Sequence, residues 1–465
     1  MALRIHACLD DMGVKWTSTD VFRIGTVGDS SDPVILWIGV KPNSLASEDA
    51  KTAAFRCLRV LEEFDITDVD VELHESSVFR SAGPKLLLPV DSSDVTVDVY
   101  HPLTHALGLS ISTEATPFAE GTGGIFLAKD SNSSDLLLVT ARHVVFPPSI
   151  YPNNKYEYTN ESAPRHNVVL LGKKAYSDCL ASIEHSIERH KIMVDHQTRV
   201  QQSINGRDDE EANGKRQTAQ EWIDRANEAI KELWTFYDDI TKDWATLASR
   251  VLGHVVFSPP ISFSAGAVDE KYTEDYAVIK VDNNKIDMNH FKGNVIDLGT
   301  KIDPQEFTQM MYLDPKSATS FKYPKGCQLK LSGTISVEEM AHPTMRDPNG
   351  DPCLMVIKNG STTGVTIGRA NGIRSYQRID VDGLDVGERI SKEWAIIPYD
   401  NKSAAFSALG DSGAVVVDSR GRIGSLLTGS AGIIESFDAS YATPAEFLLK
   451  GIKANGFPDV YISPS

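Results

Sequence analysis

Apolar positions along this chain follow two periods, and the changes between them mark out the architecture. Pro33-Val-Ile-Leu-Trp-Ile-Gly-Val40 is an apolar run of buried-strand length, closed by the turn residues Lys41-Pro-Asn-Ser44. Ser47-Glu-Asp-Ala50 has the acidic first turn of a helix, and Ala54, Leu58, Leu61 and Phe64 continue it at helical spacing. Val69-Asp-Val-Glu-Leu-His-Glu75 alternates apolar and polar and reads as a strand. Residues 1–20 show no clear period. The first 110 residues therefore read as a small α+β domain ending near Pro89 or Leu109. It is too short for a nucleotide fold and lacks a Gly-rich phosphate loop, which leaves it a recognition or regulatory role.

A connector with Pro102 and Pro117 follows, and short strand-like runs then dominate. They include Glu120–Phe126, Asp135–Thr140 and Asn167–Leu171, with a Pro147-Pro148 surface loop reaching to Asn160. From Tyr176 the period changes. Leu180, Ile183, Ile187, Val194 and Ile204 fall at helical spacing, with His190, Gln197 and Gln201 between them. After Asn205-Gly206, a heptad seam runs through Ala226, Ile230, Leu233, Tyr237, Ile240, Trp244, Leu247 and Val251. Residues 173–252 therefore predict an antiparallel, coiled-coil-like helical hairpin with a first arm of ~30 residues, or about 45 Å. The leftover aromatics Trp222, Trp234 and Phe236 mark a face for self-association or for a partner chain. Strand-like runs resume at Gly253–Ser258, Cys327–Ile335, Leu354–Lys358, Trp394–Pro398 and Arg422–Ser430. A short helix is expected near Pro304–Met311, and a final one at Thr443–Lys450 with Pro444 at its first position.

The composition narrows the function classes. The chain has 465 residues, 41% hydrophobic and 24% charged, which is enough for two or three folding units of globular character. A formal charge of −18 argues against a nucleic-acid partner. No apolar run reaches membrane-spanning or signal-peptide length. Five scattered cysteines, Cys8, Cys57, Cys179, Cys327 and Cys353, lack metal-ligand spacing and predict reduced thiols in a cytoplasmic setting. No cofactor is called for.

The candidate chemistry lies in three of the strand-rich segments. Gly410-Asp411-Ser412-Gly413 is a Gly-bracketed turn feeding the apolar run Ala414–Val417. Taken alone it is an ordinary turn sequence. It also puts a hydroxyl on a rigid turn, and Gly410 allows close backbone approach to a developing oxyanion. Upstream, His143 follows the strand Asp135–Thr140, and Asp275 precedes the short strand around Ala277–Lys280. The order His143, Asp275, Ser412 is that of the chymotrypsin triad. With these residues in hand, the chain resembles the trypsin-like serine protease superfamily. Glu120-Gly-Thr-Gly-Gly-Ile-Phe126 resembles the first-barrel strand of high-temperature-requirement proteases. Lys358-Asn-Gly-Ser-Thr-Thr-Gly-Val-Thr-Ile-Gly368 resembles a streptogrisin strand. The resemblance covers roughly residues 117–172 and 250–450.

That resemblance implies a mainly β, chymotrypsin-like double β-barrel, its first barrel formed by residues 111–172 and 253–300 and its second by 301–465. It implies a serine endopeptidase acting on peptides or proteins, with catalytic His143, Asp275 and Ser412. The backbone N–H groups of Gly410 and Ser412 would form the oxyanion hole. Phe406 would lie at the base of the primary pocket and Thr428-Gly429 at one wall, favouring an apolar or small side chain before the scissile bond. Two departures stand out: Arg142 precedes the histidine where a small residue is usual, and Ala414 replaces a common glycine. Asp411 sits where secreted trypsins pair an acid with a newly cut N-terminus, yet a whole domain precedes the barrel here. The competing reading is a catalytically silent, protease-fold scaffold working through its N-terminal domain and helical hairpin.

Overall fold

The computed structural model describes residues 1–24, 33–76, 83–91, 93–131, 133, 135–160, 163–265, 270–311, 321–347, 350–378, 389–431 and 439–462. They form two compact units, Met1–Ser81 and Ala82–Ser465.

The first unit contains α1 (Ala2–Asp11), β1 (Trp16–Arg23), β2 (Val34–Val40), α2 (Ser47–Glu62) and β3 (Val69–Glu75). β1 pairs antiparallel and β3 parallel with β2, so α2 is the crossover that a parallel pair requires. Leu36, Ile38 and Val40 on one sheet face pack with Ile5 and Leu9 of α1 and with Ala53, Cys57, Val60 and Leu61 of α2. Three expectations are corrected here. Residues 1–20 are a helix and a strand, and α1 buries only Ile5 and Leu9, too thin a stripe to show a period. The buried stripe of α2 lies one position from the expected one, and Phe64, beyond the helix end, is 43% exposed. The unit also stops about thirty residues early, because Leu86, Val99, Leu103 and Leu107 belong to the core of the second unit.

The second unit opens with α3 (Val97–Tyr100), then β4 (Leu109–Thr113), β5 (Gly121–Gly123), β6 (Ile125–Ala128), β7 (Leu136–Thr140) and α4 (Arg142–Val145). β8 (Tyr156–Glu157), β9 (Asn167–Leu170), the long helices α5 (Lys173–Ser203) and α6 (Glu210–Asp243), and β10 (Val251–Ser258) follow. Next are β11 (Ser262–Ala265), β12 (Tyr272–Glu274), β13 (Ala277–Val281), β14 (Val295–Asp297), α7 (Pro304–Met310), β15 (Gln328–Lys330) and α8 (Val337–Ala341). The last stretch holds β16 (Met345–Arg346), β17 (Pro352–Gly360), β18 (Gly364–Asn371), β19 (Ser375–Arg378) and β20 (Ile390–Pro398). It ends with β21 (Val415–Asp418), β22 (Ile423–Ala431), β23 (Ala439–Pro444), α9 (Ala445–Ala454) and β24 (Tyr461–Ile462).

These strands make two sheets with different closure. The first runs β24-β6-β7-β13-β10-β9-β4-β5, with β8 on β10, and stays an open half-barrel. In the second, β17-β18-β20-β23-β22-β21 closes on itself through β21 pairing with β17, giving a six-stranded barrel without an edge. The architecture is mainly β and double-barrelled, with helices attached. Pro444 ends β23 and is the N-cap of α9, rather than its first residue as expected.

The helical hairpin enters after β9 and returns into β10. Asp209 caps α6, its side chain accepting from the Ala212 N–H at 2.9 Å, with Glu210 and Glu211 in the first turn. The buried positions of α6 recur every seven residues, at Ala212, Ala219, Ala226, Leu233 and Ile240, joined by Ala229 and Phe236. Small alanines line the tip half, and large side chains fill the base beside Ile183 and Ile187 of α5. Two seam assignments are corrected. Phe236 points inward and stacks on Tyr100 at 5.0 Å, whereas Trp222 and Trp234 are 46% and 41% exposed. Leu247 and Val251 lie past the helix, which ends at Asp243. Among the described residues, 205–209 form an exposed turn between the arms. Trypsin should therefore cut first after Arg207, leaving two fragments detectable by mass spectrometry. A first cut within the barrel strands would contradict this layout.

Candidate active site

Register brings the histidine and the aspartate together. β7 and β13 pair antiparallel with Thr140 opposite Ala277. Residues just past Thr140 therefore share one barrel end with residues just before Ala277. There His143 Nδ1 meets Asp275 Oδ2 at 2.7 Å, and the His143 backbone N–H donates to Asp275 Oδ1 at 3.1 Å. Asp275 is 6% exposed, while the His143 side chain retains 29% exposure. Burial disfavours the imidazolium, but the Asp275 charge and hydrogen bond outweigh it and raise the His143 pKa above its ordinary value. Burial likewise disfavours the carboxylate, and the His143 charge with hydrogen bonds from His143 and the Arg142 backbone holds Asp275 below the usual range. The contact fixes Nδ1 as the side facing the acid and leaves Nε2 directed elsewhere.

Arg142, the unusual neighbour, turns away from this pair into the 147–158 loop. Its guanidinium donates to Ser258 Oγ at 2.9 Å and to the Asn154 carbonyl at 2.7 Å, and it lies 4.8 Å from the Phe146 ring centre. Ser258 Oγ in turn donates to the Tyr276 carbonyl at 2.8 Å, next to Asp275. The departure thus anchors the loop beside the histidine. A second support lies two residues before Asp275. Glu393, 1% exposed, accepts from the Thr273 N–H at 3.1 Å, from Ser391 Oγ, and from Thr443 Oγ1 at 3.3 Å. These contacts tie the aspartate strand β12 to the closed barrel.

Ser412 sits in the turn before β21, half-buried. Its carbonyl accepts from the Thr122 N–H at 2.8 Å. Gly413 has φ +92, and a Cβ there would come 2.1 Å from the Thr122 carbonyl and 2.4 Å from Thr140 Oγ1, so only glycine fits. The Ser412 turn is therefore pressed against the strand end that leads to His143. No hydrogen bond joins Ser412 Oγ to His143 Nε2 among the described residues. The N–H groups of Gly410 and Ser412 also make no hydrogen bond there, while the Asp411 N–H donates to Ala408 and the Gly413 N–H to Leu427.

Asp411 holds the turn in shape. It is fully buried and pairs with the equally enclosed Lys358 Nζ at 3.2 Å. Its oxygens also accept from the N–H groups of Ala408, Thr362 and Thr363 and from Thr363 Oγ1 at 2.7 Å. Burial lowers the Lys358 pKa, against the pull of Asp411. Lys358 also donates to Thr363 Oγ1 and, at 3.0 Å, to the Gly364 carbonyl. An internal ammonium thus supplies the countercharge of Asp411. The clue in the sequence was a lysine ending an apolar strand run, together with an acid in the Ser412 turn that needed a countercharge.

Of the expected pocket residues, Phe406 is 1% exposed with its carbonyl bound by Thr366 Oγ1 at 2.7 Å, and its ring lies 5.7 Å from Lys358 Nζ. Thr428 and Gly429 lie on β22, where the pairing to β23 shifts register, and a Cβ on Gly429 would meet nothing within 4 Å. Leu409, beside the turn, is 93% exposed. Among the described residues no His, Cys, Asp or Glu cluster could hold a metal ion, and no helix is long and apolar enough to cross a membrane.

No protein-family model and no curated protein matches the chain. Among solved structures it is similar to a glutamic-acid-specific serine protease with a histidine triad in substrate binding, at 11% identity and TM-score 0.33, covering 77% of this chain and 99% of that one. A Nocardiopsis protease matches at 11% identity and TM-score 0.32, covering 77% and 98%. Thermobifida fusca protease A matches at 9% identity and TM-score 0.31, also covering 77% and 98%. At these values the likeness carries no weight for the site, which stands on the geometry above.

Replacing Lys358 by Met would leave the Asp411 charge buried and uncompensated. We expect a loss of about 3–5 kcal/mol in urea unfolding. An unchanged midpoint would mean that the pair is not the support of this turn.

Proposed function

We propose that this protein is a serine endopeptidase using His143, Asp275 and Ser412. The observation carrying the proposal is the pairing of His143 with Asp275 at 2.7 Å beside a turn whose Gly410 and Ser412 N–H groups stay unpaired. Asp275 holds the imidazole and stabilises its protonated form. His143 takes the Ser412 proton as Oγ attacks the scissile carbonyl, and the two free N–H groups stabilise the oxyanion. His143 then protonates the leaving amine, and water releases the acyl group by the reverse steps. The missing Ser412–His143 hydrogen bond is the one observation favouring the silent-scaffold reading. Catalytic hydrogen bonds in ligand-free sites are often long and tighten only with substrate, which weakens that objection.

The apolar base at Phe406 and the open flank of Gly429 support an apolar or small side chain before the scissile bond. Trp222 and Trp234 support a role for the hairpin in self-association. Sedimentation equilibrium of the full chain against Trp222→Ser/Trp234→Ser would read it.

A fluorophosphonate probe tests the central reading. The wild type should label, while Ser412→Ala and His143→Ala should not. A silent wild type would move the reading to the scaffold. On an apolar peptide substrate, kcat/KM should fall as pH drops through a value above 6.5, because only neutral His143 is a base and Asp275 favours its charged form. Asp275→Asn should shift the surviving acid limb to lower pH. An acid limb left in place would break the assignment.

A further inference from the structure

The oxyanion turn could present either face of its Leu409–Gly410 peptide to the cleft, and only one face offers an N–H. Across a trans peptide the carbonyl of one residue and the N–H of the next point in opposite directions. The described backbone contains no cis bond. Whatever holds the Leu409 and Gly410 carbonyls therefore decides where the Gly410 and Asp411 N–H groups point. Gly410 lies at φ +100, a conformation in which rotation of this peptide meets little steric resistance.

Two threonine hydroxyls hold those carbonyls. Thr362 Oγ1 donates to the Leu409 carbonyl at 2.7 Å, and Thr122 Oγ1 donates to the Gly410 carbonyl at 2.9 Å. Thr122 is fully buried and belongs to the half-barrel, not to the barrel that carries the turn. Every polar group of this residue is engaged. Its hydroxyl accepts from the Ser361 N–H at 3.0 Å, its N–H donates to the Ser412 carbonyl at 2.8 Å, and its carbonyl accepts from Thr140 Oγ1 at 2.7 Å. Thr140 is the last residue of the strand leading to His143. A continuous chain of hydrogen bonds thus runs from the histidine strand, through Thr122, to the Gly410–Asp411 and Ser412–Gly413 peptide units, which flank the Asp411–Ser412 unit carrying the Ser412 N–H, while Thr362 holds the Leu409–Gly410 unit carrying the Gly410 N–H.

We propose that Thr122 is the positioning residue of the oxyanion hole, with the Thr362 hydroxyl as a second clamp on the same turn. The inference rests on the peptidase reading above and specifies which side chains hold its two donors in place. Thr122 touches no reacting atom in this scheme. It acts by fixing the Gly410 and Ser412 carbonyls on either side of the peptide that carries the Ser412 N–H, and its place on the half-barrel couples that geometry to the position of His143.

The test uses the full chain and a fluorophosphonate probe, with the maximal inactivation rate separated from the probe's dissociation constant. Thr122→Val keeps the side-chain shape and removes the hydroxyl. We expect the maximal rate to fall by about 10- to 100-fold with the dissociation constant unchanged, since a lost donor typically costs ~10²–10³ and a misaligned one less. Thr122→Ser should restore most of the rate. Thr362→Val, at an exposed position, should cost a few-fold. A Thr122→Val protein that labels at the wild-type rate overturns the inference while the peptidase reading stands. A Thr122→Ser protein as slow as Thr122→Val also overturns it, because the loss would then come from packing. If Thr122→Val fails to fold by circular dichroism, Thr362→Val decides: a slower maximal rate supports the clamp and an unchanged one overturns it. An unlabelled wild type overturns the peptidase reading, and this inference falls with it.

Discussion

The enclosed pair of Lys358 and Asp411 is the constraint on which the candidate site depends. Removing two charges from water costs several kcal/mol for each ion, and their attraction offsets this only when the remaining valences are filled. Here they are filled: the carboxylate takes four further donors besides the ammonium. Three of those donors are backbone N–H groups of the segments 361–364 and 408–411, so satisfying the charge also dictates the path of the backbone. Ala408, Thr362 and Thr363 are committed to Asp411, and the N–H groups of Gly410 and Ser412 make no hydrogen bond among the described residues.

The site is divided between two sheets, and the ties between them are polar. His143 and Asp275 come from the half-barrel, and Ser412 from the closed one. Apolar packing would hold the sheets together without fixing their register to a fraction of an ångström. The hydrogen bonds around Thr122 on one side and Glu393 on the other supply direction as well as cohesion. Burial raises the Glu393 pKa, while hydrogen bonds from Ser391, Thr273 and Thr443 favour its charged form. That carboxylate borders the strand leading to Asp275, so its polar shell and Asp275 share one short stretch of backbone.

Much of this was legible from local pattern. The barrel strands stood out because both faces are buried and the runs are continuously apolar. The hairpin stood out because long helices repeat their signal many times. What stayed hidden depends on partners distant in sequence. Lys358 reads as a strand end until Asp411, 53 positions later, is seen against it, and Thr122 reads as one residue of a first-barrel strand until the Gly410 carbonyl arrives 288 positions on. The hairpin seam was misread near its base, where Phe236 answers to Tyr100 and not to the opposite arm. The amino-terminal helix escaped because two buried side chains make no period. The first unit was drawn to residue 110, but residues 83–110 contribute Leu86, Val99 and Leu103 to the second core, partners that no local pattern in that stretch announces.

The attachment points of the hairpin have a further consequence. β9 and β10 are antiparallel neighbours, with Val169 opposite Val251, so the chain leaves and re-enters the sheet at a spacing of about 4.8 Å. In topological terms the inserted arm is an oversized hairpin loop. Its ends are closed by the sheet whatever lies between them, and lengthening a closed loop adds conformational cost only logarithmically. The arm can therefore grow, shrink or change its surface over evolutionary time with little strain passed to His143 or Asp275. The chain thus has room for a variable appendage within a single barrel while the spacing of its reactive groups stays under separate control.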